Sequence, residues 1–351
     1  MSRLLVLAIA AVTAATAGAS TPPYRVRTLA TAPSIWWFGQ DHGWLAWATE
    51  RRYRFVLTVR KGRRHGRIDL GLERGNENTV IAQAGPRILW TDFASGNIFY
   101  QYLFVGWATG GRGGFFREYD SDAGDGTGDH VGAVAGDGTT LVHSVVTVGY
   151  DPPDCDPVER ACGYAIYGDR VYREDRKRPR GLAGTPPAAL LAAAGARFAA
   201  VPAAYSKSVP WPGIAPAAAG PVSVHDVRTG SRICAFTPSA QPLAVALSTR
   251  YVAVLTGDAS ARRIEIHDAA SCAPIRNADV PAKTAPELSI SGSRVVFHSG
   301  RDLRMLDVVT GAAVVLGHAR STPVGLSIER NRVAWAEQYR RDRSRVRAIL
   351  L

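Results

Sequence analysis

The sequence predicts an all-β fold, and three observations lead to it. One phrase, a short alternating strand that ends in aspartate and a turn, occurs three times between residues 221 and 320. A second apolar strand precedes each copy, and a third strand precedes that one. The units recur roughly every 40 to 55 residues, a period typical of a β-propeller built from short antiparallel strands. The three copies are residues 222–230, 264–271 and 303–311.

Extending this alignment in both directions predicts seven blades of four antiparallel strands. Each unit begins with an innermost strand of apolar or small residues, as expected where neighbours crowd a central channel. We expect residues 20–351 to form this single domain. The second strands of the seven units are predicted at 44–47, 87–90, 140–143, 198–201, 251–255, 295–298 and 333–335.

The first and last units suggest how the ring closes. The last unit has three strands, of which the third is residues 344–350. Residues 24–29 precede the first unit in the way that the outer strand 230–236 precedes the fifth. We therefore expect the N-terminal strand to complete the last blade, which would remove two unpaired sheet edges.

The N-terminus has the pattern of a secretory signal peptide. Arg3 is followed by an apolar run at 4–12 and by small residues at 17–19, which predicts cleavage after Ala19. No later stretch approaches twenty uninterrupted apolar residues, so no transmembrane segment is expected. The predicted location is the periplasm or the cell exterior, and the predicted state is a monomer.

Charge and cysteine content agree with an exported protein. The net charge is +12 and comes almost entirely from arginine, which favours anionic surfaces or acidic polymers as partners. Nucleic acid is not expected, because few aromatic residues lie among the arginines and because the protein is expected to be exported. The four cysteines fit an oxidising compartment, and Cys155 and Cys162 are predicted to form a disulfide. Whether Cys234 and Cys272 also pair stays open at this point.

The Asp-x-x-Thr-Gly turns at 226–230 and 307–311, with a degenerate copy at Asp268, carry a family resemblance. They resemble bacterial secreted seven-bladed propellers of the Trp-Asp-repeat-like (WD40-like) and TolB-like kind. The resemblance covers essentially the whole chain after residue 19 and implies the propeller architecture. The repeated aspartates are interpreted as turn-forming residues, since Asp at the start of a tight turn accepts local backbone N–H groups.

One acidic loop could bind calcium. Residues 120–129 alternate carboxylates with glycines, and calcium prefers several oxygens that converge from one flexible loop. The alternative is a solvated loop without metal. No other cofactor is expected. The candidate ligands are Asp120, Asp122, Asp125 and Asp129.

Long connections and loop arginines are the candidate binding elements. The excursions at 120–129, 150–163, 174–187 and 204–220 are expected on one face, and long loops in a compact domain are often functional. Trp211, between two prolines, offers an exposed aromatic ring or else covers a blade edge. A basic sector around the ring could bind carboxylates, phosphates or sulfates, the alternative being solvated charge. Its arginines are Arg51, Arg52, Arg262, Arg263, Arg340 and Arg341.

No catalytic residue is predicted. The sequence contains no nucleophile elbow, no paired histidine ligands and no carboxylate pair that can be placed at the channel. The expected function is that of a secreted binding or interaction module for a protein or an anionic or glycan ligand. The alternative is a propeller hydrolase or lyase that acts on a polysaccharide at the central channel.

Overall fold

The computed structural model describes residues 24–351 except 52–53, 71–78, 96–97, 109–113, 123, 158–161, 176–177, 211 and 219. The described residues form strands joined by turns and contain no helix that could cross a membrane. The predicted signal peptide, residues 1–19, lies outside them.

The fold is an all-β propeller with four-stranded antiparallel blades. The first strands are β1 (Arg27–Pro33), β2 (Ile35–Asp41), β3 (Trp44–Arg51), β4 (Arg54–Lys61), β5 (Arg64–Asp69), β6 (Ile81–Ala84), β7 (Arg87–Ser95), β8 (Ile98–Trp107), β9 (Gly114–Asp122), β10 (Gly128–Asp137), β11 (Thr140–Asp151), β12 (Gly163–Gly168), β13 (Val171–Glu174), β14 (Pro179–Gly181) and β15 (Ala188–Ala194). The others are β16 (Arg197–Tyr205), β17 (Ile214–Pro216), β18 (Val222–Asp226), β19 (Arg232–Phe236), β20 (Pro242–Leu247), β21 (Tyr251–Gly257), β22 (Arg262–Asp268), β23 (Pro274–Val280), β24 (Ser289–Ser291), β25 (Arg294–Ser299), β26 (Asp302–Asp307), β27 (Ala313–His318), β28 (Val324–Glu329), β29 (Arg332–Arg340) and β30 (Arg343–Leu350).

Five sheets each have a path of four strands, so five separate blades are observed where seven were predicted. Their strand orders are β2-β3-β4-β5, β15-β16-β18-β19, β20-β21-β22-β23, β24-β25-β26-β27 and β1-β30-β29-β28. The remaining sheet has the nine strands β6 to β14 and takes the place of the predicted second and third blades.

The nine-stranded sheet has a local cause. Strands β9 and β10 pair where Ser121 lies opposite Gly128. Gly128 has a φ of 122°, and a Cβ atom there would lie 2.6 Å from the carbonyl oxygen of Asp120. Because glycine has no Cβ, the outer strand of one unit approaches the innermost strand of the next closely enough to bond.

The predicted second strands are all present, within β3, β7, β11, β16, β21, β25 and β29. Each pairs antiparallel with the strand that precedes it in the chain. At the ends of the chain, β1 pairs antiparallel with β30, from Arg27 opposite Ala348 to Pro33 opposite Arg343. The first and last strands of the described chain therefore share one sheet.

The core consists of apolar layers, several of which lie between neighbouring sheets. In one layer Phe38 and Trp47 pack against Ala334 and Val346, which joins the first four-stranded sheet to the sheet of β28 to β30. Burial of such apolar surface contributes roughly 25 cal/mol per Å² to folding. Because successive side chains of a strand point to opposite faces, alternate residues enter such a layer and are apolar. This alternation is the reason that the sequence pattern predicted the strands correctly.

The repeated aspartates form turns, as predicted. Asp226 Oδ1 accepts the N–H groups of Arg228 at 2.8 Å and Thr229 at 3.0 Å. Asp307 and Asp268 make the same pair of bonds to the second and third residues that follow them. These carboxylates are occupied by their own turns and are not candidates for chemistry.

Both cysteine pairs are disulfides. The predicted bond between Cys155 and Cys162 is present, with a Cα–Cα distance of 5.9 Å. Cys234 and Cys272, whose pairing the sequence left open, are also bonded, with a Cα–Cα distance of 5.6 Å. Two disulfides are compatible with an extracytoplasmic location.

Candidate binding sites

The propeller has two different faces. The turn face carries the turns between the first and second strands of each unit, and residues 42, 85–86, 138–139 and 195–196 of four such turns line one common cavity. The loop face, at the other end of the strands, carries the connections between units and the loops between second and third strands.

The excursions at 150–163 and 204–220 belong to the loop face. The expectation for 174–187 is wrong in part, because Asp175 lines the cavity of the turn face. The segment begins as the turn between β13 and β14, the third and fourth strands of its unit.

Two hairpin extensions stand on the loop face. Strand β11 continues beyond its unit to pair with β12, and β16 continues to pair with β17. The disulfide of Cys155 lies in the loop between β11 and β12. Tyr164 joins the two extensions, with ring centroids 5.6 Å from Tyr150 and 5.1 Å from Tyr205. The described residues of the excursions at 150–163 and 204–220 therefore belong to these hairpin extensions.

A cleft of about 310 Å³ lies beside these extensions on the loop face. Phe93 and Phe99 form one wall, with ring centroids 5.1 Å apart. Pro210 and Pro212, from the loop between β16 and β17, also line the cleft. Ile98, in the same hairpin as the two phenylalanines, is 43% exposed. Trp211, which stands between Pro210 and Pro212 in the sequence, lies outside the described residues.

The acidic loop uses its carboxylates locally. Asp122 Oδ1 accepts the N–H of Gly124 at 2.7 Å and that of Asp125 at 3.2 Å. Asp129 Oδ1 accepts the Thr147 hydroxyl at 2.6 Å. Within the described part of the chain, the carboxylates of Asp120, Asp122, Asp125 and Asp129 do not form a group of three metal-ligating atoms within 4.8 Å of one another.

Asp125 shows the same local use of oxygen atoms. One oxygen accepts the backbone N–H and the hydroxyl of Thr127, both at 2.9 Å, and the other accepts the hydroxyl of Tyr150. Burial raises the pKa of Asp125, but these bonds outweigh burial and leave its pKa below the usual value. The hydrogen bonds from Thr127 and Tyr150 thus favour the ionised carboxylate without a metal.

The predicted basic sector is brought only partly together. Arg262 and Arg263 lie at the turn between β21 and β22, and Arg340 and Arg341 lie at the turn between β29 and β30. Both turns are on the loop face, but they belong to different sheets. The sheet of β24 to β27 comes between those two sheets in the order of the chain. Arg263 pairs with Asp279 at 2.7 Å. The side chain of Arg51 and all of Arg52 lie outside the described residues.

A central channel of about 640 Å³ is lined by seven segments of chain. All seven segments overlap the innermost strands of the units, and each runs toward the turn face. The seven segments are 37–42, 81–83, 134–137, 191–195, 245–249, 288–292 and 327–330.

Two carboxylates and a histidine converge at the turn-face end of the channel. One carboxylate oxygen each of Asp41 and Asp137 and one ring nitrogen of His42 lie within 4.8 Å of one another. The histidine nitrogen is 2.8 Å from Asp41 and 3.6 Å from Asp137. The second carboxylate oxygens bind backbone N–H groups, those of Gly85 and Gly138 for Asp41 and that of Gly195 for Asp137.

The pKa values of Asp137 and His42 are shifted by their surroundings in this cluster. Burial raises the pKa of Asp137, and the neighbouring Asp41 carboxylate adds to that rise. The hydrogen bond with Asp41 is the main reason that the pKa of His42 is raised. The cluster therefore favours a protonated histidine between two carboxyl groups. Sequence reasoning missed it, because Asp41 and Asp137 are brought together only by the packing of different units.

Similar side-chain acceptors recur around the turn face. Glu329 Oε1 accepts the N–H of Gly43 at 2.7 Å, which links the last unit of the chain to the first. Ser291 Oγ accepts the N–H of Arg330 at 2.8 Å. A signal was present in the sequence, since Asp41, Asp137 and Glu329 each end an innermost strand.

A buried chain of hydrogen bonds lies between the turn-face cavity and the outer strands. Glu174 lines that cavity, and its Oε1 is 2.5 Å from His143 Nδ1. His143 Nε2 is 2.5 Å from the hydroxyl of Tyr119. His143 is fully buried, and Tyr119 and Glu174 are 2% and 6% exposed. Burial raises the pKa of Tyr119 far above its usual range, so the phenol stays protonated.

Comparison with solved structures supports the fold alone. A chain of a mitotic checkpoint complex has a TM-score of 0.52 to this chain at 11% identity, with 100% of this chain and 99% of that chain covered. A prolyl endopeptidase has a TM-score of 0.48 at 14% identity, and the match spans 81% of this chain but 42% of the endopeptidase. BamB from Moraxella catarrhalis has a TM-score of 0.47 at 11% identity, covering 89% and 85% of the two chains. No protein-family model and no curated relative matches the sequence.

Proposed function

We propose that this protein is a secreted, monomeric, seven-bladed propeller that binds a partner protein through its loop face. Seven blades are supported by the seven segments that line the channel, if the nine-stranded sheet is counted as two blades. Closure of the ring is supported by the pairing of β1 with β30 and by the bond from Gly43 to Glu329. Export is supported by the signal-peptide pattern and the two disulfides.

The observation that carries the binding proposal is the aromatic cleft of the loop face. Its volume of about 310 Å³ is at the lower end of ligand pockets, which run from roughly 300 to 1,000 Å³, and suits one large side chain. Ile98, in the hairpin that carries Phe93 and Phe99, is an exposed apolar side chain, 43% exposed. Tyrosine and other aromatic residues are enriched at protein interfaces, where they supply contact area at low entropic cost. We infer that the ligand is a peptide segment with an aromatic or large aliphatic anchor.

Selection from a displayed library of random peptides tests this proposal. We expect the enriched peptides to share one aromatic or large aliphatic position and to lose at least tenfold in affinity, about 1.4 kcal/mol, against the Phe99→Asp variant. The matched control is Val309→Asp, which alters an apolar side chain that is 65% exposed in the turn after β26. Retained binding to Phe99→Asp, equal loss in both variants, or no enriched peptide would contradict the proposal.

A second candidate function is that of a propeller hydrolase or lyase acting on a polysaccharide. The observation that favours it is the convergence of Asp41, Asp137 and His42 at the end of the channel. His42 also has a φ of 48°, a left-handed conformation that is found at functional sites more often than elsewhere. Against it, each carboxylate already accepts backbone N–H groups, which is the arrangement expected of a structural link.

Calcium binding at residues 120–129 is a further proposal. A calcium ion would compete with the amide groups that now occupy Asp122 and Asp125, so we expect weak binding, in the roughly 0.1 to 1 mM range of extracellular calcium modules. The melting temperature should rise at millimolar calcium, and the rise should vanish in Asp122→Ala. The same rise in the variant would place any calcium elsewhere, and no rise in the wild type would show that this loop does not bind calcium at such concentrations.

A further inference from the structure

A basic cavity of about 920 Å³ is lined by strands β9 and β14 of the nine-stranded sheet and by the turn that precedes β14. Three arginines line it, namely Arg117, Arg178 and Arg180. Asp175 is the one carboxylate among the described lining residues, and Phe116 is the one aromatic residue. None of these three arginines belongs to the basic sector that the sequence predicted.

The negative charge of the lining is already neutralised. Asp175 accepts two bonds from Arg173, at 3.0 Å to Nε and 2.9 Å to Nη2. Glu174, the adjacent carboxylate, is turned inward to His143 at 2.5 Å. Within the described residues, no carboxylate pairs with the guanidinium groups of Arg117, Arg178 or Arg180. The cavity therefore concentrates positive charge.

Arg117 is held in place before any ligand binds. Its guanidinium carbon lies 4.9 Å from the ring centre of Tyr119 and 5.0 Å from that of Tyr172. Both rings are fixed from behind, since Tyr119 bonds to His143 and Tyr172 stacks on His143 at 5.2 Å. A guanidinium that is already oriented loses little entropy when it forms paired bonds to an oxyanion.

We propose that this cavity binds an acidic polysaccharide, with the three arginines contacting its carboxylate or sulfate groups. Arginine binds both groups through two parallel N–H···O bonds. The net charge of +12 would attract such a polymer over a longer range. A cavity of about 920 Å³ accommodates sugar rings as well as the anionic groups, and so exceeds the needs of one small oxyanion. Single-stranded nucleic acid is disfavoured because base stacking needs several free aromatic faces, and the tyrosine rings face Arg117.

Affinity measurements by calorimetry with two polysaccharides test the proposal. Heparin supplies sulfate groups and polygalacturonate supplies carboxylates alone, so the comparison shows which group the arginines prefer, and binding of either supports the proposal. We expect Arg178→Ala with Arg180→Ala to weaken binding at least tenfold. Arg117→Lys keeps the charge but loses the planar fork, and we expect it to weaken binding by about three- to tenfold.

The matched control is Arg63→Ala with Arg64→Ala, which removes the same charge from the exposed turn between β4 and β5. We expect it to change affinity by less than about twofold, because these side chains do not line the cavity. Equal losses of polysaccharide affinity in the two double variants would show that net charge alone causes the effect, and would overturn the proposed site. Absence of binding to both polysaccharides would overturn it as well.

Tighter binding of single-stranded DNA that is lost in the same variants would assign the cavity to nucleic acid instead. Peptide binding at the loop face should be unchanged in all these variants, which separates the two proposals.

Discussion

Replacement of Asp41 by alanine is expected to lower the free energy of unfolding by about 3–5 kcal/mol. One carboxylate accepts the N–H groups of Gly85 and Gly138 and also contacts His42, so it links turns from three units of the chain. Its side chain is 13% exposed, and water could not replace these bonds fully in the variant. Urea unfolding at neutral pH, followed by tryptophan fluorescence, measures the change.

Asp137→Asn is the matched control for this prediction. The amide keeps an oxygen that can accept the N–H of Gly195. Because the pKa of Asp137 is raised in the folded protein, its ionised form is not favoured by the fold, and removing the charge should cost less than about 1 kcal/mol. An Asp41→Ala variant as stable as the wild type would contradict the structural role. It would favour the catalytic alternative, since active-site residues often reduce stability.

Glu265→Gln is expected to remove part of the acid sensitivity of the protein. Burial raises the pKa of Glu265, but the His267 imidazole at 3.9 Å and hydrogen bonds from Ser239 and Thr256 outweigh it and bring its pKa to about 2. A carboxyl group with a depressed pKa stabilises the fold above its unfolded pKa of roughly 4.3, and this stabilisation is lost as the pH falls through about 2. The contribution at neutral pH is roughly 3 kcal/mol.

Unfolding in urea from pH 7 to pH 2 tests this prediction. The wild type and Glu265→Gln should differ by about 2–3 kcal/mol at pH 7 and nearly converge at about pH 2, where the carboxyl group is about half protonated in the folded wild type and protonated in the unfolded one. Thr256→Val removes one donor, whose hydroxyl lies 2.9 Å from Glu265, and should show a smaller loss of about 1 kcal/mol. A difference between wild type and Glu265→Gln that stays constant over the whole pH range would show that the carboxylate charge is not the cause.

The sequence by itself determined the positions of the strands and the chemistry of the turns. The second strands lie where the apolar alternation predicted them, and Asp226 and Asp307 form the turns expected of them. Both are local properties, because strand alternation has a period of two and the turn bonds reach no further than three residues. The bond between Cys155 and Cys162 was predictable for the same reason, since the loop it closes is short.

Only the tertiary structure decided which distant groups meet. It joined β9 to β10 at Gly128, so that the predicted second and third blades share one sheet. It brought Cys234 within bonding distance of Cys272. It also placed Asp41 beside Asp137 and Arg117 beside Arg178, pairs whose members are far apart in the chain. Periodicity assigns each residue to a face of its own strand, whereas contacts between units depend on how neighbouring sheets pack and on how closely their backbones approach, and no local pattern encodes those distances.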